Sequence, residues 1–147
     1  HKGRSDEILG ERELAFTDAV AYGSLSEIAP PYDDTLKTAA ITKLLLSDGR
    51  AIHAYYHGGC AFRIGKDSSK VLARYAMLDG QPPAVISNQV GHGRVILSGV
   101  HLETSAYDVA RHPAPSAPEE QRRQDLFKAA ESQLQDANNV LREYLGV

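Results

Sequence analysis

The sequence predicts an α/β domain whose strands, in this portion, pair antiparallel and whose C-terminus is an amphipathic helix. Three observations carry this. From residue 38 to residue 99, short apolar and β-branched runs follow one another between Gly- and Pro-rich turns, with no room for crossover helices. Asp48-Gly49 stands between two such runs as a two-residue hairpin signal. After Pro118, the residues Leu126, Phe127, Ala130, Leu134, Ala137, Leu141, Tyr144 and Leu145 recur at three- and four-residue spacing, which gives a helix one apolar face.

Taken in order, residues 1–13 are polar and read as a surface segment, and Phe16, Val20 and Tyr22 fall at even spacing in a short strand over 14–22. Pro30-Pro31 interrupts the chain by fixing the backbone and removing donors. A strand centred on 41–46 then pairs through the Asp48-Gly49 turn with 50–57. There Ile52, Ala54 and Tyr56 share one face, and His53, Tyr55 and His57 share the other. His53 and His57 are four apart, which on a strand separates them by about 13 Å, so one ion cannot bridge them. A charged loop at 66–70, a strand over 71–77, a turn at 79–83 and a strand over 84–90 lead through Gly91-His92-Gly93 into 94–99. Residues 104–118 read as a loop containing three prolines. Residues 119–145 read as one helix or two nearly continuous ones, with Pro118 in its first turn. The whole of 1–147 is expected to form a single domain.

Composition excludes several classes of function. The chain is 42% hydrophobic and 24% charged with a net charge of −3, and no basic run is present to hold a phosphate backbone, so nucleic acid is not an expected partner. No segment approaches the ~20 apolar residues of a membrane span. One cysteine makes no internal disulfide and is too few for a thiolate metal site, and neither metal nor cofactor is expected. The chain begins at His1. The expected compartment is the cytoplasm, or an exported location if a signal peptide preceded His1.

The chemistry concentrates in Gly93-Arg-Val-Ile-Leu-Ser-Gly-Val-His-Leu-Glu103. Residues 95–99 are long enough for one buried strand, and His101 and Glu103 follow two positions apart, so period-two geometry places both side chains on one face. An imidazole oriented by a carboxylate is what a base needs beside a nucleophile. Cys60, in Gly58-Gly59-Cys60-Ala61, sits at a Gly-rich turn, where a thiolate would meet exposed backbone N–H groups. Phe62-Arg-Ile-Gly65, however, does not continue as the helix a nucleophile elbow requires. Cys60 therefore reads as a buried or pocket-wall residue, with nucleophile as the alternative. Arg12 and Glu13 are candidates to line a cleft near Glu103.

The stretch from Gly93 to Glu103 resembles the His-Pro-Glu segment of class I glutamine amidotransferase-like domains. More narrowly, Gly10-Glu-Arg-Glu-Leu-Ala-Phe16, Ala54-Tyr-Tyr-His-Gly-Gly-Cys-Ala-Phe62 and Val71-Leu-Ala-Arg-Tyr75 resemble, in the same order, the N-terminal domain of biotin-protein ligases and its free-standing relatives. Leu102 stands where the superfamily usually has Pro, and His57 where Asn is expected before Gly-Gly. The resemblance implies a flavodoxin-like fold of which this chain is the C-terminal portion. It also implies a Cys-His-Glu catalytic triad of which His101 and Glu103 are two members. The third, a cysteine on a Gly-x-Cys-x-Gly elbow, is expected upstream, in the missing N-terminal part of the same domain. Two functions follow as expectations. One is a cysteine hydrolase or amidotransferase acting on a small-molecule or amide substrate. The other is a non-catalytic binding or regulatory module of the biotin-protein ligase N-terminal type.

Overall fold

The computed structural model describes residues 17–66 and 69–147. The expectations for Gly10 to Phe16, including Arg12 and Glu13, lie outside the described residues. Among these residues, seven strands and three α-helices follow in order. They are β1 (Val20–Tyr22), a 3-10 turn (Leu36–Thr38), β2 (Ala39–Leu46), β3 (Ala51–His57), β4 (Ala61–Arg63), β5 (Lys70–Tyr75), β6 (Pro83–Val90), β7 (Gly93–Ser98), α1 (Ala106–Ala110), α2 (Ala117–Gln133) and α3 (Gln135–Leu145). The fold is mixed α/β, and every strand pairing among the described residues is antiparallel.

Five strands form one sheet in the order β3-β2-β5-β6-β7, and β1 with β4 forms a two-stranded ribbon. The β2–β3 hairpin turns at Gly49, whose φ of 90° lies in the region that favours glycine. Both faces of this hairpin are covered. Leu44, Leu46, Ile52, Ala54 and Tyr56 enter the largest apolar cluster together with Ala137 and Val140 of α3. Ala39 and Tyr55 point the other way, to Leu126 and Ala130 of α2 and to Leu134, the residue between the two helices. The β1–β4 ribbon covers the part of the sheet that α2 leaves open, packing Ala21 and Phe62 on Ile86.

The C-terminal helix is broken at Leu134, whose backbone caps α2. The break lets α2 and α3 address different faces of the sheet. Ser116 caps α2 by accepting from the Glu119 backbone, with Pro118 in the first turn and two glutamates at its positive end.

Two sequence expectations need correction. Residues 95–99 are not a fully buried strand. Among the described residues β7 is the sheet's edge and pairs only with β6, and it is half-buried over Val95, Ile96 and Leu97. An apolar run of this length is compatible with an edge strand covered in part on both faces, and here Ile96 and Leu97 pack into different clusters. Residues 104–118 are not wholly loop, because Ala106–Ala110 is helical. Its capping box, Ser105 with Asp108, satisfies two N-terminal donors, and Val109 anchors it in the core.

Candidate functional site

The chain leaving β7 at one edge of the sheet crosses to β3 at the other. Gly99 N donates to Ala84 O at 2.8 Å, and His101 N donates to Tyr55 O at 2.8 Å, so this short segment ties the two edges together. Extended backbone then alternates sides. Val100 and Leu102 are buried, while His101 and Glu103 face outward. The two outward side chains meet: His101 Nδ1 lies 2.7 Å from Glu103 Oε1. Leu102, at the position where proline was expected, is 1% exposed and supplies the inward anchor between them.

The crossing depends on missing side chains. Gly59 and Gly99 pass backbone against backbone: a Cβ on Gly59 would overlap the Gly99 carbonyl oxygen, and one on Gly99 would overlap the Cys60 carbonyl oxygen. Cys60 N donates to Gly99 O at 3.3 Å, and the buried Tyr75 hydroxyl reaches Cys60 O at 2.7 Å and Gly99 O at 3.0 Å. Gly58 takes a φ of 68° and lies against the Tyr32 ring. The Gly-Gly-Cys turn thus sets the path of the segment that carries His101.

Cys60 itself points away from this chemistry. Its thiol is free and packs beside Phe62, Ile86 and Leu97. Burial pushes it up to about 11, against thiolate formation. No hydrogen bond links its sulfur to His101 among the described residues. The structure therefore does not bring Cys60 together with His101 and Glu103.

It brings other groups there instead. The His57 ring lies 6.1 Å from both Tyr55 and His112 and 4.8 Å from Tyr32, and Tyr55 lies 6.0 Å from His101. His57 Nε2 is 3.2 Å from Asp33 O and 3.0 Å from Thr38 Oγ1. Partial burial of His57 holds its imidazole below the ordinary histidine value, with opposing help to the charged form from backbone contacts. The Asp33 turn is fixed in its own right. Its carboxylate accepts from the Thr35 hydroxyl at 2.6 Å and the Thr35 backbone at 2.8 Å, which holds it below the usual carboxylate range. α1 returns His112 to this cluster, with His112 N on Val109 O at 3.2 Å. Tyr55, His112 and Tyr32 were not found by sequence reasoning. The Ser-x-x-Asp spacing of 105–108 was a signal for the helix that delivers His112.

His53, as expected, stands apart from His57. It lies opposite Lys43 on the hairpin and lines a groove of about 360 Å³ with Glu27, Lys43 and Met77. Another depression, of about 260 Å³, lies between Ser105 and Asn138. Neither is lined by His101 or Glu103. Among the described residues no group of three His, Cys, Asp or Glu side chains is arranged to hold a metal ion. Nor is any described helix long and apolar enough to cross a membrane.

Fold and site together define an α/β domain with an outward-facing, carboxylate-oriented histidine on a glycine-built crossing. The chain belongs to the family described as biotin-protein ligase, N terminal, which it matches over residues 1–146. It is also similar to an uncharacterized protein of Chlamydia muridarum (strain MoPn / Nigg), with 33% identity over 98 residues, covering 65% of this chain and 38% of the relative. The chain thus spans well under half of that relative's length. No solved structure matches it.

Proposed function

We propose that His101 and Glu103 are the base and the orienting carboxylate of an amidotransferase-like cysteine hydrolase acting on an amide-type bond. The observation that supports this is the 2.7 Å contact from His101 Nδ1 to Glu103 Oε1 on an outward-facing strand end. A carboxylate acceptor fixes the hydrogen on Nδ1 and leaves Nε2 as the working nitrogen, the arrangement of a general base beside a nucleophile. In this reading the thiol lies upstream of the chain, and the antiparallel sheet is the C-terminal part of a flavodoxin-like domain. His101 Nε2 takes the thiol proton as sulfur attacks the amide carbonyl. It returns that proton to the departing nitrogen, then activates the water that cleaves the thioester.

The test is release of ammonia from primary amides, glutamine first, by the full-length protein. His101→Ala is expected to abolish turnover, and Glu103→Gln to lower kcat by roughly 10²- to 10⁴-fold. Turnover that survives His101→Ala would overturn the assignment. The departures from the superfamily pattern at His57 and Leu102 favour a second reading. In it the domain is a binding or regulatory module, and no amide is turned over by a protein that still binds one.

A further inference from the structure

Three imidazoles lie in one cluster, His57 and His101 beside the Tyr55 ring and His112 beside His57, and each has one nitrogen already committed. His57 Nε2 faces the Asp33 carbonyl, His112 Nδ1 faces the Pro113 carbonyl at 3.1 Å, and His101 Nδ1 faces Glu103. A carbonyl or carboxylate oxygen only accepts, so each of these nitrogens must donate its hydrogen. In the neutral ring the remaining nitrogens, His57 Nδ1, His112 Nε2 and His101 Nε2, then carry lone pairs. None of the three has a hydrogen-bond partner among the described residues. The Tyr55 hydroxyl also lacks one there, and its oxygen reaches solvent although the ring is buried. Desolvation of His57 works against a charge on it, which keeps its free nitrogen an acceptor near neutral pH. The half-exposed ring of Tyr32, 4.8 Å from His57, completes the surface, and aromatic faces attract positive charge.

We propose that His57 and His112, with Tyr32 and Tyr55, form the recognition wall of the His101 site and select a substrate group rich in N–H donors, a primary amide or an alkylammonium. The inference deepens the hydrolase reading and rests on it for the word substrate; the wall itself rests on the tautomers. Three acceptors and one amphoteric hydroxyl suit a group that donates two or three hydrogens. They do not suit a carboxylate, which only accepts and would face three lone pairs. His57 then replaces the expected asparagine with a side chain that still offers an acceptor.

The experiment follows the imidazole proton and carbon resonances of His57, His101 and His112 in the full-length protein near neutral pH. Three isosteric probes are titrated: propionamide, propylammonium and propionate. Propionamide or propylammonium is expected to move the His57 and His112 signals saturably, and propionate to leave them in place. Tighter propionamide assigns the wall to an amide, and tighter propylammonium to a cation lying on the Tyr32 face. His57→Phe and His112→Phe each remove one acceptor and keep a ring, and each should weaken binding roughly five- to tenfold, the net worth of one hydrogen bond. His57→Asn, which restores an acceptor, should recover most of that loss. His112→Phe serves if His57→Phe does not fold, because His112 lies beyond the end of α1. Equal or tighter binding of propionate, no response to any probe, or unchanged binding by folded phenylalanine variants would overturn the wall. The hydrolase reading fails separately. Probe binding without ammonia release leaves the wall standing and removes the enzyme. Ammonia release that needs His101, with KM unmoved in both phenylalanine variants, removes the wall and keeps the enzyme.

Discussion

Two neighbouring regions of this chain make opposite use of reactive side chains. On one side of the Gly59–Gly99 crossing, His57, His101 and His112 face outward or lie half-exposed, each with one ring nitrogen tied to an oxygen. On the other, the only cysteine of the sequence is withdrawn among Phe62, Ile86 and Leu97, and its thiol is pushed up by burial. Only two residues separate His57 from Cys60. Reactive residue types near glycine are therefore no guide to chemistry by themselves. Here the glycines serve a backbone crossing, and the crossing decides which side chains meet solvent and which meet the core.

The largest expected effect comes from breaking the crossing. Gly99→Ala puts a methyl group on the Cys60 carbonyl, with Tyr75 packed behind it, and should cost about 3 kcal/mol by urea denaturation. Gly49→Ala meets no neighbouring atom and carries only the strain of positive φ, so about 1 kcal/mol is expected there. Equal losses at the two sites would mean that the crossing is not the constraint described. Tyr75→Phe is intermediate. It removes the donor to Cys60 O while Gly99 O keeps its bond from Cys60 N, and about 1–2 kcal/mol should be lost.

These contrasts mark how far the sequence could be read. The β2–β3 hairpin was legible because Asp48-Gly49 and strict alternation agree, and both alternating faces proved to be covered. The C-terminal helical segment was legible from its three- and four-residue spacing, but the break at Leu134 was not. Leu134 is itself apolar, and the break appears only when α2 and α3 turn to different faces. The meeting of His101 with Glu103 follows from period-two geometry between the buried Val100 and Leu102. The histidine cluster was not legible. His57 and His112 are 55 positions apart, and they meet only because α1, anchored by Val109 in the cluster that holds Tyr55, returns the chain to β3. Likewise, nothing in Gly-Gly-Cys distinguishes a nucleophile turn from a backbone crossing until the second backbone is in place.

A smaller effect sharpens the histidine side. The fold lowers the pKa of His57 below the roughly 6.5 of an unfolded chain, so the unfolded state binds more protons between the two values. Stability is then full above about pH 6.5 and falls as pH drops through the unfolded value toward the folded one, where it levels off. Replacing His57 with Gln should flatten that part of the curve in parallel urea titrations. A curve unchanged by the substitution would show that His57 is not desolvated in the way its neighbours imply.

The smallest expected effect is at Cys60, and it bears most directly on the contrast. A half-buried thiol raised to about 11 is almost wholly protonated at neutral pH, and thiolate is the form that attacks alkylating agents. Iodoacetamide should therefore label Cys60 in the folded protein much more slowly than in urea. Cys60→Ser keeps the size and exchanges a weak sulfur donor for a hydroxyl among apolar neighbours, so about 1 kcal/mol or less of stability should change. Any ammonia release by the full-length protein should persist in that variant at close to the parent rate, while His101→Ala removes it. Rapid labelling of the folded protein, together with loss of turnover in Cys60→Ser, would reverse the assignment of the two sides. The Gly-Gly-Cys turn would then have to open for catalysis, breaking the Cys60 N to Gly99 O bond and the Tyr75 contacts that now hold it, and Tyr75→Phe would raise activity rather than merely lower stability.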